Sequence, residues 1–333
     1  MNRTHEHQAT PRAEAESNRG EMCAFLQRRR RPSWLAPRLL LGLALMAGCP
    51  ADSEDVRPPN GEFYYPTGLA ATADEATVFV VNANSDLRYA SGSVIVVDMD
   101  EVDAITDPWI ASGEVADGCD RDVDLPYLLN CDEEIVTVPD ASVRLASFAT
   151  EIGVQALTDG SSRLFIASRG DPSITYVDYD PDARELECGG SGSHPVCDDD
   201  HRLSQLRGQP ELGRLIEEPF GLFVDSVREY VMVSHLTSGS VTLLDAPSNG
   251  SRPLISDLIT GIFASDPNTG VRGAVGVAGR RPGQADDLIY VTSRSDSRIQ
   301  LLSVARPGVD QLPRIATADF FFLEQVRPAD DSR

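Results

Sequence analysis

Few residues in this chain of 333 could do chemistry. Cysteines stand at 23, 49, 119, 131, 188 and 197, and the histidines beyond Cys49 are His194, His201 and His235. Four cysteines fall into two close pairs, Cys119 with Cys131 and Cys188 with Cys197, each in a loop rich in Asp and Gly. In an oxidising compartment two local disulfides are the economical expectation, although four cysteines allow three connectivities. Closing a loop of roughly ten residues stabilises a fold by about 2–3 kcal/mol in the chain-entropy account. Neither pair has the CxxC spacing of a zinc site. Carboxylates offer a second chemistry. Asp120, Asp122 and Asp124 alternate as ligands do in a calcium loop, but Leu125 stands where an EF-hand needs Gly and Cys131 where it needs Glu. Asp198, Asp199 and Asp200, just before His201, form another oxygen-rich patch. No cofactor is expected beyond calcium at these loops. No GxSxG, HExxH or dinucleotide glycine motif is present, so a Ser-His-acid triad would have to assemble in space with no local signature.

The elements that must carry these residues read as strands. Pro66 to Asp98 holds three apolar runs, Gly68 to Ala71, Val78 to Val81 and Val94 to Asp98, separated by a turn at Asp74 and by a loop of Asn, Ser and Gly. The same order recurs downstream. The second repeat has Gly153–Leu157, Leu164–Ala167 and Ile174–Asp178; the third Pro219–Asp225, Tyr230–Ser234 and Ser240–Asp245; the fourth Ala274–Ala278, Leu288–Thr292 and Arg298–Val304. A fourth, outer strand fits the gaps at Glu134–Val138, Pro253–Ile259 and Arg314–Phe322. Acidic insertions near 99–143 and 185–215 carry the cysteine pairs, and the spacing between repeats exceeds the usual blade length of about 40–50 residues. Four-stranded antiparallel units without a strong helical period predict an all-β chain, a β-propeller over 63–333 with four recognisable blades.

Charge and the N-terminus narrow the setting. All 29 basic residues are Arg, against 52 acids, for a net charge of −23. Eight Arg and four Glu precede Cys49, which leaves 21 basic and 48 acidic residues after it, a net of −27. Such a surface repels nucleic acid and anionic lipid, and the absence of Lys excludes a phosphate-loop lysine and Schiff-base chemistry. Arg28–Arg31 form a basic block, Leu39–Ala47 an apolar run, and Met46-Ala47-Gly48-Cys49 a cleavage site of small residues before a cysteine. The run is shorter than the roughly 20 residues of a spanning helix.

This arrangement resembles the bacterial lipoprotein signal. The resemblance implies a signal peptide over 1–48, with Met22 a plausible true start, and lipid on Cys49 as the first mature residue. It also implies a lipidated tether over 49–62 and anchorage to a membrane of the bacterial cell envelope, on its periplasmic or surface face. The repeats carry a second resemblance. PTGLAATAD, VFVVNANSD and GSVIVVD, all within Pro66–Asp98, are similar to the YVTN-type β-propeller repeat, and the likeness covers nearly all of the chain from Pro66 onward. The fourth repeat departs from it, with Gly276-Val277-Ala278 in place of a Pro-x-Gly opening. Proteins of that type close a ring of about seven blades. Four visible repeats therefore suggest a truncated frame, a ring completed by a partner, or a compact four-bladed ring.

In a propeller the loops between second and third strands gather on one face around the central opening, a common ligand position. Here they hold Asn82, Asn84 and Asp86; Arg169 and Asp171; His235 and Thr237; Arg294 and Asp296. A ring of amides, acids and two arginines suits a protein, peptide or polar small-molecule ligand. The expected function is a lipid-anchored, non-enzymatic binding or scaffolding module. The alternative is a propeller lactonase-like hydrolase with a metal or carboxylate site at the central opening, which would require acids or His235 to converge on one buried point.

Overall fold

A computed structural model describes residues 56–204, 215–279, 288–308 and 311–323. The chain divides into two units, Met1–Ala51 and Asp52–Arg333, and every described residue belongs to the second. The expected signal peptide, Met22, Cys49 and the C-terminal stretch from Gln325 lie outside the described residues.

The first sheet is an antiparallel meander of β1 (Pro66–Ala71), β2 (Thr77–Asn82), β3 (Gly92–Asp98) and β6 (Thr137–Leu145), in that spatial order. Between β3 and β6 lie α1 (Met99–Ser112) and a small hairpin of β4 (Cys119–Arg121) and β5 (Leu129–Cys131). The second sheet runs β7 (Ala149–Ala156), β8 (Ser162–Ser168), β9 (Ser173–Asp180), β10 (Glu185–Glu187), with the short β11 (Arg202–Leu203) also paired to β9. The third holds β12 (Pro219–Asp225), β13 (Tyr230–His235), β14 (Val241–Asp245) and β15 (Leu254–Ile259). The fourth holds β16 (Ala274–Gly279), β17 (Ile289–Ser293), β18 (Arg298–Ala305) and β19 (Arg314–Phe322). The fold is thus mostly β, built of successive antiparallel sheets, three of four strands and the second of five, much as propeller blades are.

The sheets stack face to face, and three apolar clusters fill the gaps. Phe79, Val94, Val96 and Val143 of the first sheet meet Ile152, Leu164, Ile166 and Val177 of the second. Phe165, Ile174 and Tyr176 meet Val231, Val233 and Leu244 of the third. Met232 and Leu243 meet Ile289, Val291 and Leu302 of the fourth. Each large side chain buried this way contributes about 1.5–3 kcal/mol relative to exposure. Alternation along each strand puts its odd and even residues into different gaps, which is why the strands read as nearly continuous apolar runs.

Two features depart from the sequence expectations. The insertion after β3 contains a 14-residue helix. The Asp98 carboxylate caps it by accepting from Asp100 N–H, Asp100 and Glu101 sit in its first turn, and Gly113 at φ 75° ends it. Its signal is weak in sequence because no residue of the helix is fully buried, so it lacks a strong apolar stripe. Its Met99 and Val102, with Phe63 and Val136, cover Val80, Ile95 and Val97 on the face of the first sheet that points away from the second. The second departure is Val56–Gly61, expected as spacer. Pro58 there is buried, Ala90 N–H donates to Val56 C=O at 2.7 Å, and Asn60 donates to Asp140 at 3.0 Å. The outer strand of the first sheet also begins at Thr137, three residues after the expected start, because a 3-10 turn at Glu133–Ile135 precedes it.

The four inner strands β1, β7, β12 and β16 pack side by side in sequence, and each carries a register shift near its start. A hydroxyl clasps each inner strand to the next. Thr67 Oγ1 donates to Ala149 C=O at 2.9 Å, and Thr150 Oγ1 to Phe220 C=O at 2.8 Å. At the third junction Phe220 occupies the threonine position, and Ser234 from β13 supplies the hydroxyl, donating to Val275 C=O at 2.8 Å while accepting from Gly221 N–H at 2.9 Å. The junctions are close enough to demand glycine. A Cβ on Gly221 would lie 1.9 Å from Val275 O, and one on Gly153 would lie 2.6 Å from both Leu222 and Val224 side chains. We expect Gly221→Ala to destabilise the fold by about 3 kcal/mol, at the upper end of overpacking costs, because the obstacle is backbone. Urea denaturation of the variant against wild type checks this, with Gly250→Ala, where a Cβ meets open space, as a turn control expected to cost less.

Candidate functional site

Each inner strand is preceded by a residue in left-handed backbone: Tyr65 (φ 53°), Phe148 (φ 60°), Glu218 (φ 51°) and Gly273 (φ 65°). Its carbonyl accepts from the residue that follows the second strand of the same sheet. The four bonds are Ala83 N–H to Tyr65, Arg169 to Phe148, Leu236 to Glu218 and Arg294 to Gly273, at 2.8–3.0 Å. Phe148 N–H also donates to Ala83 C=O at 2.7 Å and Gly273 N–H to Leu236 C=O at 2.8 Å. Backbone bonds thus lace one end of the first sheet to the second and of the third to the fourth, the Arg169–Glu218 side-chain pair bridges the second to the third, and most of the expected ligand-face residues sit on this rim.

Several of those residues spend their polar atoms on the rim itself. Asn82 is fully buried, accepting from Tyr64 N–H and donating to Glu62 C=O and Ser93 Oγ, each at 3.0 Å. Asn84, also buried, donates to Tyr89 C=O and Ser147 Oγ and accepts from Tyr89 N–H. Asp86 closes a turn by accepting from Arg88 N–H. Asp296 accepts from Ala264 N–H at 3.1 Å and pairs with Arg298 at 3.3 Å. Arg294 makes its rim contact through its backbone N–H. Arg169 and Thr237 meet through Glu218, a residue with no sequence signature: Arg169 Nη2 lies 2.8 Å from Oε1, and the Thr237 hydroxyl donates to Oε2. The Thr237 and Arg169 hydrogen bonds hold the Glu218 carboxyl below its ordinary range.

His235 ends β13 and is fully buried. Its Nε2 lies 2.8 Å from Thr242 Oγ1 and its Nδ1 3.2 Å from Glu217 C=O. Nδ1 therefore carries the proton and Nε2 accepts from the threonine hydroxyl. Burial pushes its pKa from 6.5 down to about 4, against smaller upward pulls from the Glu217 and Ile216 backbone. The carboxylates expected for calcium also have local roles. Asp122 accepts from Asp124 and Leu125 N–H and from Asn130, and Asp198 accepts from Asp200 and His201 N–H and lies 2.8 Å from His201 Nδ1. Asp200 pairs with Arg252 at 2.9 Å, and Asp199 lies 3.8 Å from Arg202. Asp120 stands on β4, paired in register with Asn130. Among the described residues no three His, Cys, Asp or Glu gather closely enough to hold a metal.

Both expected disulfides are present, Cys119–Cys131 and Cys188–Cys197. The second is buried in the cluster between the first two sheets. Its loop reaches back across the junction: Val196 bridges Arg144 on β6, with Arg144 N–H donating to Pro195 C=O at 2.7 Å and Cys197 N–H to Arg144 C=O at 3.2 Å.

That crossing encloses a cleft of about 580 Å³ at the rim end of the first two sheets, within the size range of small-ligand sites. Leu87, Ala90 and Ser91, the corner Arg144–Phe148, Gly170 and Asp171, Thr175, Val196 and Cys197 of the disulfide loop, and Arg202 line it. Of the expected ring, Asp171 lies in its wall, held by the Arg202 guanidinium. Three lining atoms are buried without a hydrogen-bond partner: Ser91 Oγ, Thr175 Oγ1 and Arg202 Nε. Such groups ordinarily cost about 1–3 kcal/mol each, and their concentration in one cleft marks it as the candidate site. Ser91, Thr175, Arg144 and Arg202 carry no motif; pairing of β11 with β9 sets Arg202 opposite Thr175, and the disulfide loop crosses to Arg144 on β6.

No protein-family model and no curated protein matches the chain. Among solved structures it is similar to a putative 6-phosphogluconolactonase from Bacteroides uniformis, at 12% identity and TM-score 0.43, covering 78% of this chain and 59% of that one. It is similar also to the periplasmic gluconolactonase of Pseudomonas aeruginosa, at 17% identity and TM-score 0.38, covering 78% and 72%. Hsv2 of Kluyveromyces lactis is a third, at 7% identity and TM-score 0.38, covering 76% and 61%. The chain spans 59% of the length of the first of these.

Because the folded pKa of His235 lies below its unfolded value, the unfolded chain binds a proton that the folded chain refuses. The stability His235 contributes is complete above pH 6.5 and is lost as pH falls from 6.5 toward 4. We expect unfolding free energy to drop by about 2 kcal/mol between pH 7 and pH 5 on this account, and the drop to shrink in His235→Gln. Urea titrations at the two pH values measure it.

Proposed function

We propose that the protein is a lipid-anchored β-propeller module of the bacterial cell envelope, which binds a polar small ligand at the rim cleft between its first two sheets without turning it over. The single observation that carries this is the cleft itself. Two loops, a corner and a disulfide-closed insertion converge on it, and Ser91 Oγ, Thr175 Oγ1 and Arg202 Nε of its lining residues are buried in the wall without a hydrogen-bond partner. A ligand offering acceptors and donors there recovers the desolvation cost that folding left outstanding. Hydrolase chemistry at a central opening would need converging acids or an available His235. Both His235 ring nitrogens are engaged within the fold.

The anchor rests on Arg28–Arg31, the apolar run to Ala47 and Cys49. Its consequence is direct: Cys49→Ser should move the protein from the membrane to the soluble fraction on cell fractionation, and continued membrane association would refute the anchor.

The cleft has a distinct test. Thr175→Val removes a buried hydroxyl that has no partner, so it should leave the unliganded protein as stable or slightly more stable. A thermal-shift panel of sugars, sugar acids, amino acids and short peptides should raise the Tm of wild type for at least one compound, by the mass-action term of a ligand that binds only the folded state. The same compound should lose most of its effect on Thr175→Val. A response that survives in Thr175→Val and in Ser91→Ala would place the ligand elsewhere.

A further inference from the structure

Arg144 stands in the wall of the cleft without the ion pair that eight other described arginines of this acidic chain make. Arg163, Arg169, Arg184, Arg202, Arg252, Arg298, Arg306 and Arg314 each lie within ion-pair distance of a carboxylate. Arg144 has no such partner among the described residues. Its Nε donates to His194 C=O at 3.1 Å, and its terminal nitrogens make no other hydrogen bond there. Val143 and Leu145 on either side face the apolar gap toward the second sheet, so strand alternation turns the Arg144 side chain to the other face, alongside its cross-strand partner Ser93. Tyr64 shares that face, its hydroxyl 2.9 Å from Ser93 Oγ and 3.4 Å from Ser91 C=O.

Three further groups meet there. Val56 is bonded to Ala90, which brings Arg57 beside Ser91, and Arg57 is close enough to Arg144 to lower its pKa, second to burial. His194 is pushed from 6.5 to about 4 by burial first and then by Arg144 and Arg57. Ser91 is 9% exposed with an unpartnered Oγ, and His194 Nε2 is buried and unpartnered as well. Arg144 and Ser91 therefore share the cleft wall, with His194 bonded to Arg144 and Arg57 following the residue bonded to Ala90, in a chain whose net charge is −23. Bringing like charges together and leaving polar atoms dry both cost free energy.

We infer that Arg144, Arg57, Ser91 and His194 form an oxyanion site at the edge of the cleft, taking the carboxylate or phosphate group of a small ligand. This rests on the cleft being the binding site. A planar guanidinium with its terminal nitrogens uncommitted can grip an oxyanion through two parallel N–H bonds. The Ser91 hydroxyl can add a third, and a neutral His194 protonated on Nε2 a fourth.

Isothermal titration of the full-length protein in detergent, at ionic strength held constant with sodium chloride, tests the site with inorganic phosphate and, separately, malonate; the two arms separate a phosphate site from a carboxylate site. Wild type should show saturable binding of at least one anion. Arg144→Gln should weaken it at least tenfold, and so should Arg57→Gln, an exposed residue whose replacement leaves the core untouched and guards against a folding defect in the first variant. Arg306→Gln, which removes a guanidinium paired with Asp245, should leave it unchanged. Absence of saturable anion binding, or binding equal in both cluster variants and wild type, overturns the oxyanion site. If neutral polyols bind and Thr175→Val abolishes that binding while anions do not bind, the oxyanion site falls and the cleft stands. If neither class binds, both fall.

Discussion

The close approach of neighbouring inner strands is the constraint from which the rest of this architecture follows. Stacked sheets can share apolar gaps along most of their area, but at the inner edge backbone meets backbone and there is no room for side chains. Gly153 and Gly221 make the approach sterically feasible, and the hydroxyls of Thr67, Thr150 and Ser234 satisfy carbonyls that a packed junction would otherwise leave dry. The register shift near the start of each inner strand aims those hydroxyls across the junction instead of along the sheet. Substituting Ser234 for a threonine at the third junction shows that what recurs is the bond, not the residue. With the inner edges fixed, the outer strands are free to vary, and they do: β10 is three residues long and β19 nine.

Strands were the most legible part of the sequence, because a sheet sandwiched between two others buries both faces and turns into an uninterrupted apolar run such as Leu164–Ala167. The third repeat was read to within a residue at its first two strands. The helix α1 was not legible, since it packs lightly on a sheet face and leaves its polar residues to dominate the pattern. The local disulfides were legible from spacing alone. The candidate site was the least so. Asn82 and His235 look like ligand-facing residues in a polar loop, yet each lies at a strand end where a fully buried polar side chain pins the rim. The residues that do line the cleft, Ser91, Thr175 and Arg202, are ordinary strand and loop residues in sequence. They come together through pairing of β11 with β9 and through the disulfide loop crossing to β6, contacts between segments far apart in the chain.

Ion pairs of this protein mostly join segments distant in sequence. Arg163, 2% exposed, holds Asp178 through two nitrogens at 2.6 and 2.8 Å, donates to Ser251 C=O at 2.7 Å, and stacks 5.0 Å from the Tyr176 ring. It thereby ties the second sheet to the β14–β15 turn of the third. Arg169 with Glu218 and Arg306 with Asp245 join other pairs of segments. Burial and multiple acceptors make the Arg163 contact worth far more than an exposed pair. An all-arginine basic set suits this use, because the guanidinium fork bonds a carboxylate and a backbone carbonyl at once where an ammonium would supply a single point charge.

The cover that α1 and Phe63 place over Val80, Ile95 and Val97 bears on how copies of the molecule behave toward one another. A sheet whose second face stayed apolar and open would accept the face of any similar sheet, including one from another molecule, and repeated head-to-tail contacts of that kind grow into filaments. Here that face is already occupied by the chain's own insertion, and the outward side of the insertion is studded with Asp100, Glu101, Asp103 and Asp107. The helix thus covers the second face of the first sheet with the chain's own residues and turns carboxylates outward from it.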